Sequence, residues 1–312
     1  MNFNIELKTI IPPYLTKGDT IAIAATARSI SETQLNNAIQ VLELHGFNVY
    51  IHPDLYHVHH QFAGTDIHRA KVFNDLIKNK DVKAIWVARG GYGTARMVDL
   101  IDFNSLKNNP KWIAGFSDVT VLLNHVYANC NMATMHSTMP IFMHDKVEND
   151  LQQAKEAVIS LLNSLQGHHH THDFTANEKY NDSPFNGEII GGNLSVLVSI
   201  INSDSDCNWD NKILLIEDLD EYFYHVDRML LMLKRADKLK NLKGLLVGSF
   251  IQMKDHQIPF GYNVKEMILQ HCLEYNYPII FDVDAGHHLH NLCIPFGISV
   301  KYYNGILTFA NS

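Results

Sequence analysis

The sequence is poor in cysteine and in long apolar runs. Its 312 residues include four cysteines, and none of them form a C-x-x-C pair. This spacing excludes a disulfide framework and a zinc knuckle, and it favours reduced thiols in a cytosol. No run approaches the ~18 uninterrupted apolar residues of a membrane helix, and the first residues lack a basic segment followed by an apolar one. We therefore expect a cytoplasmic protein without export signal or membrane span.

Positive charge is also scarce. The chain has 25 Lys and Arg against 33 Asp and Glu, a formal net charge of −8 at pH 7. Because no Lys/Arg stripe is present to neutralise phosphates, nucleic acid is not the expected partner. Apolar residues make up 46% of the chain, which is enough for a sizeable core. At about 150 residues per domain, the length predicts two domains.

The first half alternates short apolar runs with amphipathic stretches. The predicted strands cover residues 19–26, 47–52, 82–91 and 111–116. The predicted helices cover residues 31–46, 63–79 and 93–103, and a fourth helix begins at residue 117 or 118. This alternation is typical of βαβ units. It predicts an α/β fold with a doubly wound, mainly parallel sheet over residues 1–165.

The second half predicts a smaller, mixed α/β domain over residues 187–312. Its apolar runs alternate with helical patterns, and Asn304-Gly305 predicts a closing hairpin that adds an antiparallel component. Residues 166–186 are polar and contain three consecutive histidines. We interpret this segment as an unstructured linker, and a metal-binding tract is the alternative.

Three strand ends carry a hydroxyl, a carboxylate and an imidazole, where ligands of open α/β sheets bind. The residues are Ser117, Glu217 and His287. Each has a plainer interpretation, as a helix N-cap, a surface acid and an ordinary loop histidine. Together they are the set that activates a serine nucleophile, in which histidine takes the proton and the acid fixes the histidine tautomer.

A fourth strand end is the glycine-rich turn of residues 88–93. Its free N–H groups suit an anion or an oxyanion, although a simple tight turn is an equal alternative. The turn lacks both G-x-G-x-x-G and the Walker spacing, so a nucleotide loop is not favoured.

These segments resemble the LD-carboxypeptidases, serine peptidases that release the terminal D-alanine from murein tetrapeptides in the bacterial cytoplasm. The resemblance rests on seven motifs in the family's order, at residues 15–26, 63–70, 88–103, 115–123, 191–197, 214–233 and 286–297. It implies a doubly wound N-terminal domain, a smaller C-terminal α/β domain and a site at their junction. It further implies a murein peptide as substrate and a homodimer, and it calls for no metal or other cofactor.

The resemblance also implies roles for individual residues. The nucleophile falls on Ser117, the triad acid on Glu217 and the general base on His287. The backbone N–H groups of Asp118 and Gly91 are the candidates for an oxyanion hole.

Two further residues of the glycine turn are candidates for substrate contacts. An exopeptidase must recognise a free terminal carboxylate, for which Arg89 is a candidate. Tyr92 is the second candidate for a contact with the substrate.

The chain departs from the family at three places that flank the expected cleft. The first predicted strand ends in AATARS instead of an Ala-Pro-Ser-like turn, and His136 is followed by Ser-Thr instead of Gly-Pro. His288 and His290 stand where prolines are usual. These changes bear on the substrate and leave the three triad positions intact.

Three alternatives remain open on the sequence. A relative of the same superfamily cleaves peptidyl-nucleotide toxins and confers self-immunity. A metal hydrolase would use the histidines at 57, 59 and 60 or at 287, 288 and 290, although neither cluster has the companion carboxylate of a recognised zinc motif. A two-domain binding protein without catalysis is the third.

Overall fold

The computed structural model describes residues 8–310, which form two β-sheets with helices packed around them. The strands are, in chain order, β1 Thr20–Ala24, β2 Asn48–Ile51, β3 Val82–Val87, β4 Trp112–Gly115, β5 Thr134–His136, β6 His172–Asp173, β7 Lys179–Tyr180, β8 Phe185–Asn193, β9 Ile213–Leu219, β10 Gly244–Ile251, β11 Ile279–Ile280, β12 Ile294–Phe296, β13 Ser299–Tyr303 and β14 Ile306–Phe309. The helices are α1 Asn36–Leu44, α2 Asp66–Lys78, α3 Phe103–Asn108, α4 Thr120–Cys130, α5 Glu148–Leu165, α6 Leu194–Ile200, α7 Phe223–Arg235 and α8 Val264–Cys272.

The first sheet has the strand order β12-β5-β4-β3-β1-β2. Strands β1 to β5 are parallel, and β12 pairs antiparallel with β5. The apolar residues of β3 are fully buried because helices cover both faces, with α1 and α5 on one side and α2 and α4 on the other. The predicted doubly wound sheet is confirmed.

The second sheet has the strand order β6-β14-β13-β8-β9-β10-β11-β7. Its centre, β8 to β11, is parallel, and its two ends are antiparallel. The predicted hairpin joins β13 to β14, with Tyr303 opposite Ile306. The predicted mixed α/β character of the second half is confirmed.

The prediction of an unstructured linker at residues 166–186 is wrong. Strand β6 pairs with β14 and strand β7 pairs with β11, so this segment borders the second sheet at both ends. Within it the His172 ring is buried and stacks on Phe174 at 5.7 Å between centroids. Strands of two residues are too short to show a periodic pattern, and their partners are distant in sequence. The predicted domain boundaries themselves stay a prediction.

The predicted helix at residues 93–103 is also wrong. The chain there makes two 3₁₀ turns, Thr94–Arg96 and Val98–Leu100, before α3 begins. The Thr94 hydroxyl is hydrogen-bonded to Thr26, and its backbone N–H donates to Asp118. These tertiary hydrogen bonds fix the first turn and override the helical pattern.

Candidate active site

Ser117 lies at the sharp turn between β4 and α4. Its backbone φ is 62°, in the left-handed region that costs a residue with a side chain about 1–3 kcal/mol. Neither Ser117 nor Asp118 caps the following helix with its side chain. The N-cap interpretation is therefore wrong, and the strained turn presents the hydroxyl, as nucleophile turns do in hydrolases that carry G-x-S-x-G.

Ser117, His287 and Glu217 form a continuous chain of hydrogen bonds. The Ser117 Oγ lies 2.9 Å from His287 Nε2, and His287 Nδ1 lies 2.6 Å from Glu217 Oε2. A carboxylate only accepts hydrogen bonds, so Nδ1 carries the proton and Nε2 is free to accept from the serine. Glu217 is 0% exposed and Ser117 8%, so the chain of bonds is shielded from water. The structure brings together the three residues singled out in the sequence.

Gly286 and Ser249 fix the position of the histidine. The His287 N–H donates to Ser249 Oγ at 2.9 Å. A Cβ at Gly286, where φ is 116°, would lie 2.4 Å from that oxygen and 2.9 Å from Glu217 Oε2. Only glycine fits between these groups. Sequence reasoning missed Ser249, since it lies on β10 with no motif around it.

The Asp118 carboxylate holds the glycine turn against Ser117. It accepts the backbone N–H of Gly93 at 3.3 Å and that of Thr94 at 2.8 Å. A Cβ at Gly90 would lie 3.1 Å from Ser117 Oγ and 3.4 Å from the Asp118 nitrogen. The turn and the Asp118 backbone therefore lie beside the serine hydroxyl. Sequence reasoning considered only the Asp118 backbone and missed this role of its side chain.

The triad opens into a cleft of about 580 Å³ between the two sheets. The predicted residues Arg89 and Gly91 line this cleft. Tyr92 is not among the lining residues; it is 51% exposed, and its ring lies 6.3 Å from that of Phe62. Lining residues that sequence reasoning did not single out include Arg28, Phe142, Asn193, Ser195 and Asp218.

Asp218 is a buried carboxylic acid beside the triad. Its oxygens accept hydrogen bonds from the Asn193 amide and the Ser195 N–H, both at 2.9 Å. Burial, together with the nearby Glu217 charge, raises the pKa of Asp218 to about 7. Asp218 therefore holds the wall of the cleft formed by the start of α6.

The histidines considered as metal ligands, at residues 57–60 and 287–290, contact other side chains. His57 stacks on His68 at 4.2 Å, and His290 Nδ1 lies 3.5 Å from Asp284. Across residues 8–310, no three His, Cys, Asp or Glu side chains are grouped so as to hold a metal ion. In the same range, each helix is too short or too polar to cross a bilayer.

Sequence comparison assigns both halves of the chain to one peptidase family, S66. The LD-carboxypeptidase N-terminal domain matches residues 21–137, and the LD-carboxypeptidase C-terminal domain matches residues 186–302. A probable murein peptide carboxypeptidase of Bacillus subtilis is 29% identical over 92% of this chain and 89% of the relative. The murein tetrapeptide carboxypeptidase of Pseudomonas aeruginosa is 23% identical over 89% of this chain and 91% of the relative. The microcin C7 self-immunity protein of Escherichia coli is 24% identical over 95% of this chain and 94% of the relative.

Solved structures share the whole fold. The muramoyltetrapeptide carboxypeptidase from Oxalobacter formigenes superimposes with a TM-score of 0.81 at 25% identity, over 93% of this chain and 97% of that one. The microcin C7 self-immunity protein in complex with aspartyl sulfamoyl adenosine gives a TM-score of 0.85 at 21% identity, over 97% of this chain and 99% of that one. The chain belongs to the LD-carboxypeptidase family and is a serine carboxypeptidase.

Proposed function

We propose that the enzyme is an LD-carboxypeptidase that releases the terminal D-alanine from murein tetrapeptides. The observation that carries this proposal is the hydrogen-bonded chain of Ser117, His287 and Glu217 at the floor of an open cleft. Relatives named as murein peptide carboxypeptidases support the choice of substrate.

The reaction begins with transfer of the Ser117 hydroxyl proton to His287 Nε2. Ser117 Oγ then forms a bond to the carbonyl carbon of the L-centre that precedes D-alanine. The bond from this carbon to the D-alanine nitrogen breaks, and the nitrogen takes the proton from His287. Water hydrolyses the resulting ester, again with His287 as the base. Glu217 keeps the imidazole in the required tautomer and stabilises its charged form.

The oxyanion of each tetrahedral intermediate needs hydrogen-bond donors beside the serine. We assign this role to the backbone N–H groups of Asp118 and Gly91. The close packing of Gly90 on Ser117 supports the assignment because it brings the turn next to the nucleophile. Donors of this kind contribute about 10²–10³-fold in kcat.

A murein peptide substrate fits a site in the cytoplasm, where murein peptides are recycled. This location and the homodimer are expectations from the family resemblance. Tyr92 remains a candidate for substrate contacts, although it would have to reach the cleft from its exposed position.

A peptidyl nucleotide is the second candidate substrate. It is favoured by the similarity of the fold to the microcin C7 self-immunity protein, including the structure with aspartyl sulfamoyl adenosine. The murein peptide is preferred because the relatives named as murein peptide carboxypeptidases include one at 29% identity, against 24% for the microcin C7 self-immunity protein.

Mass spectrometry of the products from one set of incubations distinguishes the two candidate substrates. The purified enzyme and its Ser117→Ala variant are incubated, with and without EDTA, with the tetrapeptide L-Ala-γ-D-Glu-diaminopimelate-D-Ala. We expect wild-type release of D-alanine that survives the chelator and is absent in the variant. Cleavage of a peptidyl nucleotide but not of the tetrapeptide would replace the proposed substrate, and loss with EDTA alone would require a metal.

A further inference from the structure

Two arginines in the cleft have no acidic partner. Arg28 and Arg89 both line the cleft that contains Ser117 and His287. Within residues 8–310 the arginines with ion pairs are Arg69 and Arg96, which both contact Asp66. Arg89 donates one hydrogen bond, to the Ser29 carbonyl at 3.2 Å, which leaves most of its five N–H donors unused.

The acids of the cleft are all engaged elsewhere. Asp118 binds the glycine turn and Asp218 binds the start of α6. Asp220 Oδ1 lies 2.7 Å from Lys254 Nζ, and Glu221 Oε2 lies 2.8 Å from His225 Nδ1. Within residues 8–310, none of these four carboxylates pairs with Arg28 or Arg89.

The two guanidinium groups lie near each other on the glycine turn. A Cβ at Gly91 would lie 2.7 Å from Cδ and Nε of Arg28, so the Arg28 side chain extends across this residue. Burial and the neighbouring charge of Arg28 lower the pKa of Arg89. Arg89 is half-buried and Arg28 is exposed. Two like charges held close together are relieved by an anion that binds to both.

The position of the pair relative to the nucleophile suggests which anion. Arg89 directly precedes Gly90, which packs against Ser117. In a substrate that loses one amino acid, the free carboxylate lies within one residue of the scissile bond, or about 3.3–3.6 Å of extended chain. The Arg89 side chain begins one residue from the Gly90–Ser117 contact. It can therefore reach a carboxylate that lies one residue from the scissile bond.

We propose that Arg28 and Arg89 together bind the free terminal carboxylate of the leaving amino acid and so make the enzyme an exopeptidase. This inference rests on the proposed function and adds the basis of its specificity. The phosphoryl group of a peptidyl nucleotide is the other anion that the pair could bind, and the experiment separates the two.

The test compares the tetrapeptide with the same peptide amidated at its C-terminus. Initial rates are measured for the wild type, Arg28→Gln, Arg89→Gln and the double variant. Arg235→Gln is the matched control, because Arg235 is exposed at the end of α7, outside the cleft. We expect the wild type to prefer the free acid in kcat/KM by about 10- to 100-fold, the size of one or two charge-assisted hydrogen bonds. Each cleft variant should reduce this preference by raising KM more for the acid than for the amide.

Equal losses on acid and amide, or an unchanged preference in the double variant, would overturn the proposal. If the wild type cleaves neither peptide, the proposed function fails, and binding to the Ser117→Ala variant decides the inference by itself. Calorimetry measures the affinity of the Ser117→Ala variant for the acid and for the amide. Tighter binding of the acid, lost when Arg28→Gln is added to this variant, supports the carboxylate site. Arginine-dependent binding of a peptidyl adenylate instead of the acid, or binding independent of both arginines, overturns it.

Discussion

Ser117 Oγ and His287 Nε2 lie 2.9 Å apart although 170 positions separate them in the sequence. The serine follows a strand of the first sheet, and the histidine follows β11 of the second. The hydrogen bond therefore forms only when the two sheets are packed together. With Ser117 as the proposed nucleophile and His287 as its base, we expect activity to depend on this packing.

Replacing Glu217 by glutamine should remove most activity while keeping the shape of the site. The amide can donate to His287 Nδ1 and so favours the wrong tautomer, in which Nε2 cannot accept from Ser117. We expect kcat to fall about 10⁴-fold with a small change in KM. Steady-state rates on the tetrapeptide measure this effect, and near-normal activity would remove Glu217 from the triad.

Replacing His287 by alanine should also destabilise the protein. Glu217 is 0% exposed, and His287 is its hydrogen-bonding partner among the described residues. The substitution leaves a buried carboxylate unpaired, at a cost of about 1–3 kcal/mol in the free energy of unfolding. Urea unfolding measures this loss.

Ser117→Ala is the control for that experiment, since it removes the nucleophile and leaves the His287–Glu217 pair intact. The double variant Glu217→Gln/His287→Ala should recover part of the lost stability. A single His287→Ala variant as stable as Ser117→Ala would contradict the argument.

Asp218 should make stability fall as pH rises. Its pKa is about 7 in the folded protein against a usual 3.8, so between these values the folded state binds more protons than the unfolded state. Relative to Asp218→Asn, the wild type should lose up to about 1.4 kcal/mol per pH unit from pH 4 to pH 7. Urea unfolding at several pH values tests this slope, with the exposed Asp81→Asn variant as control. A flat difference between the wild type and Asp218→Asn would show that Asp218 is ionised throughout.

His172 should make the stability of the protein fall as pH falls. Burial lowers the pKa of His172 to about 3 from a usual 6.5, so in that range the unfolded state binds more protons. Relative to His172→Phe, the wild type should lose up to about 1.4 kcal/mol for each pH unit below 6.5. Unfolding at pH 7 and pH 5 measures this, with exposed His59→Gln as control. A pH-independent difference would place His172 in contact with water and return residues 166–186 to a loose linker.

The sequence predicts the parts of the fold that depend on local patterns. Period and length reveal strands β1 to β4 of the first sheet. Asn304-Gly305 predicts the hairpin of the second sheet because that turn needs only those residues. Ser117, Glu217 and His287 could be singled out because each follows an apolar run, and their catalytic roles stay predictions.

The features that the sequence does not reveal depend on contacts between distant residues. Strands β6 and β7 are two residues long and exist through their partners. The Asp118 side chain binds Gly93 across 25 positions, and Arg28 reaches Gly91 from the end of a different strand. No periodicity or short motif encodes such pairings, so only the packed chain shows them.

Strand β12 has a consequence for the order in which the first sheet is completed. Ile294 of β12 pairs with His136 of β5, and strands β6 to β11 lie between them in the chain. During synthesis from the N-terminus, β5 therefore waits with an open edge until the central strands of the second sheet have been made. His287 also follows those strands, so a chain interrupted before them would lack the proposed base for Ser117. We expect such a truncated chain to leave the tetrapeptide intact.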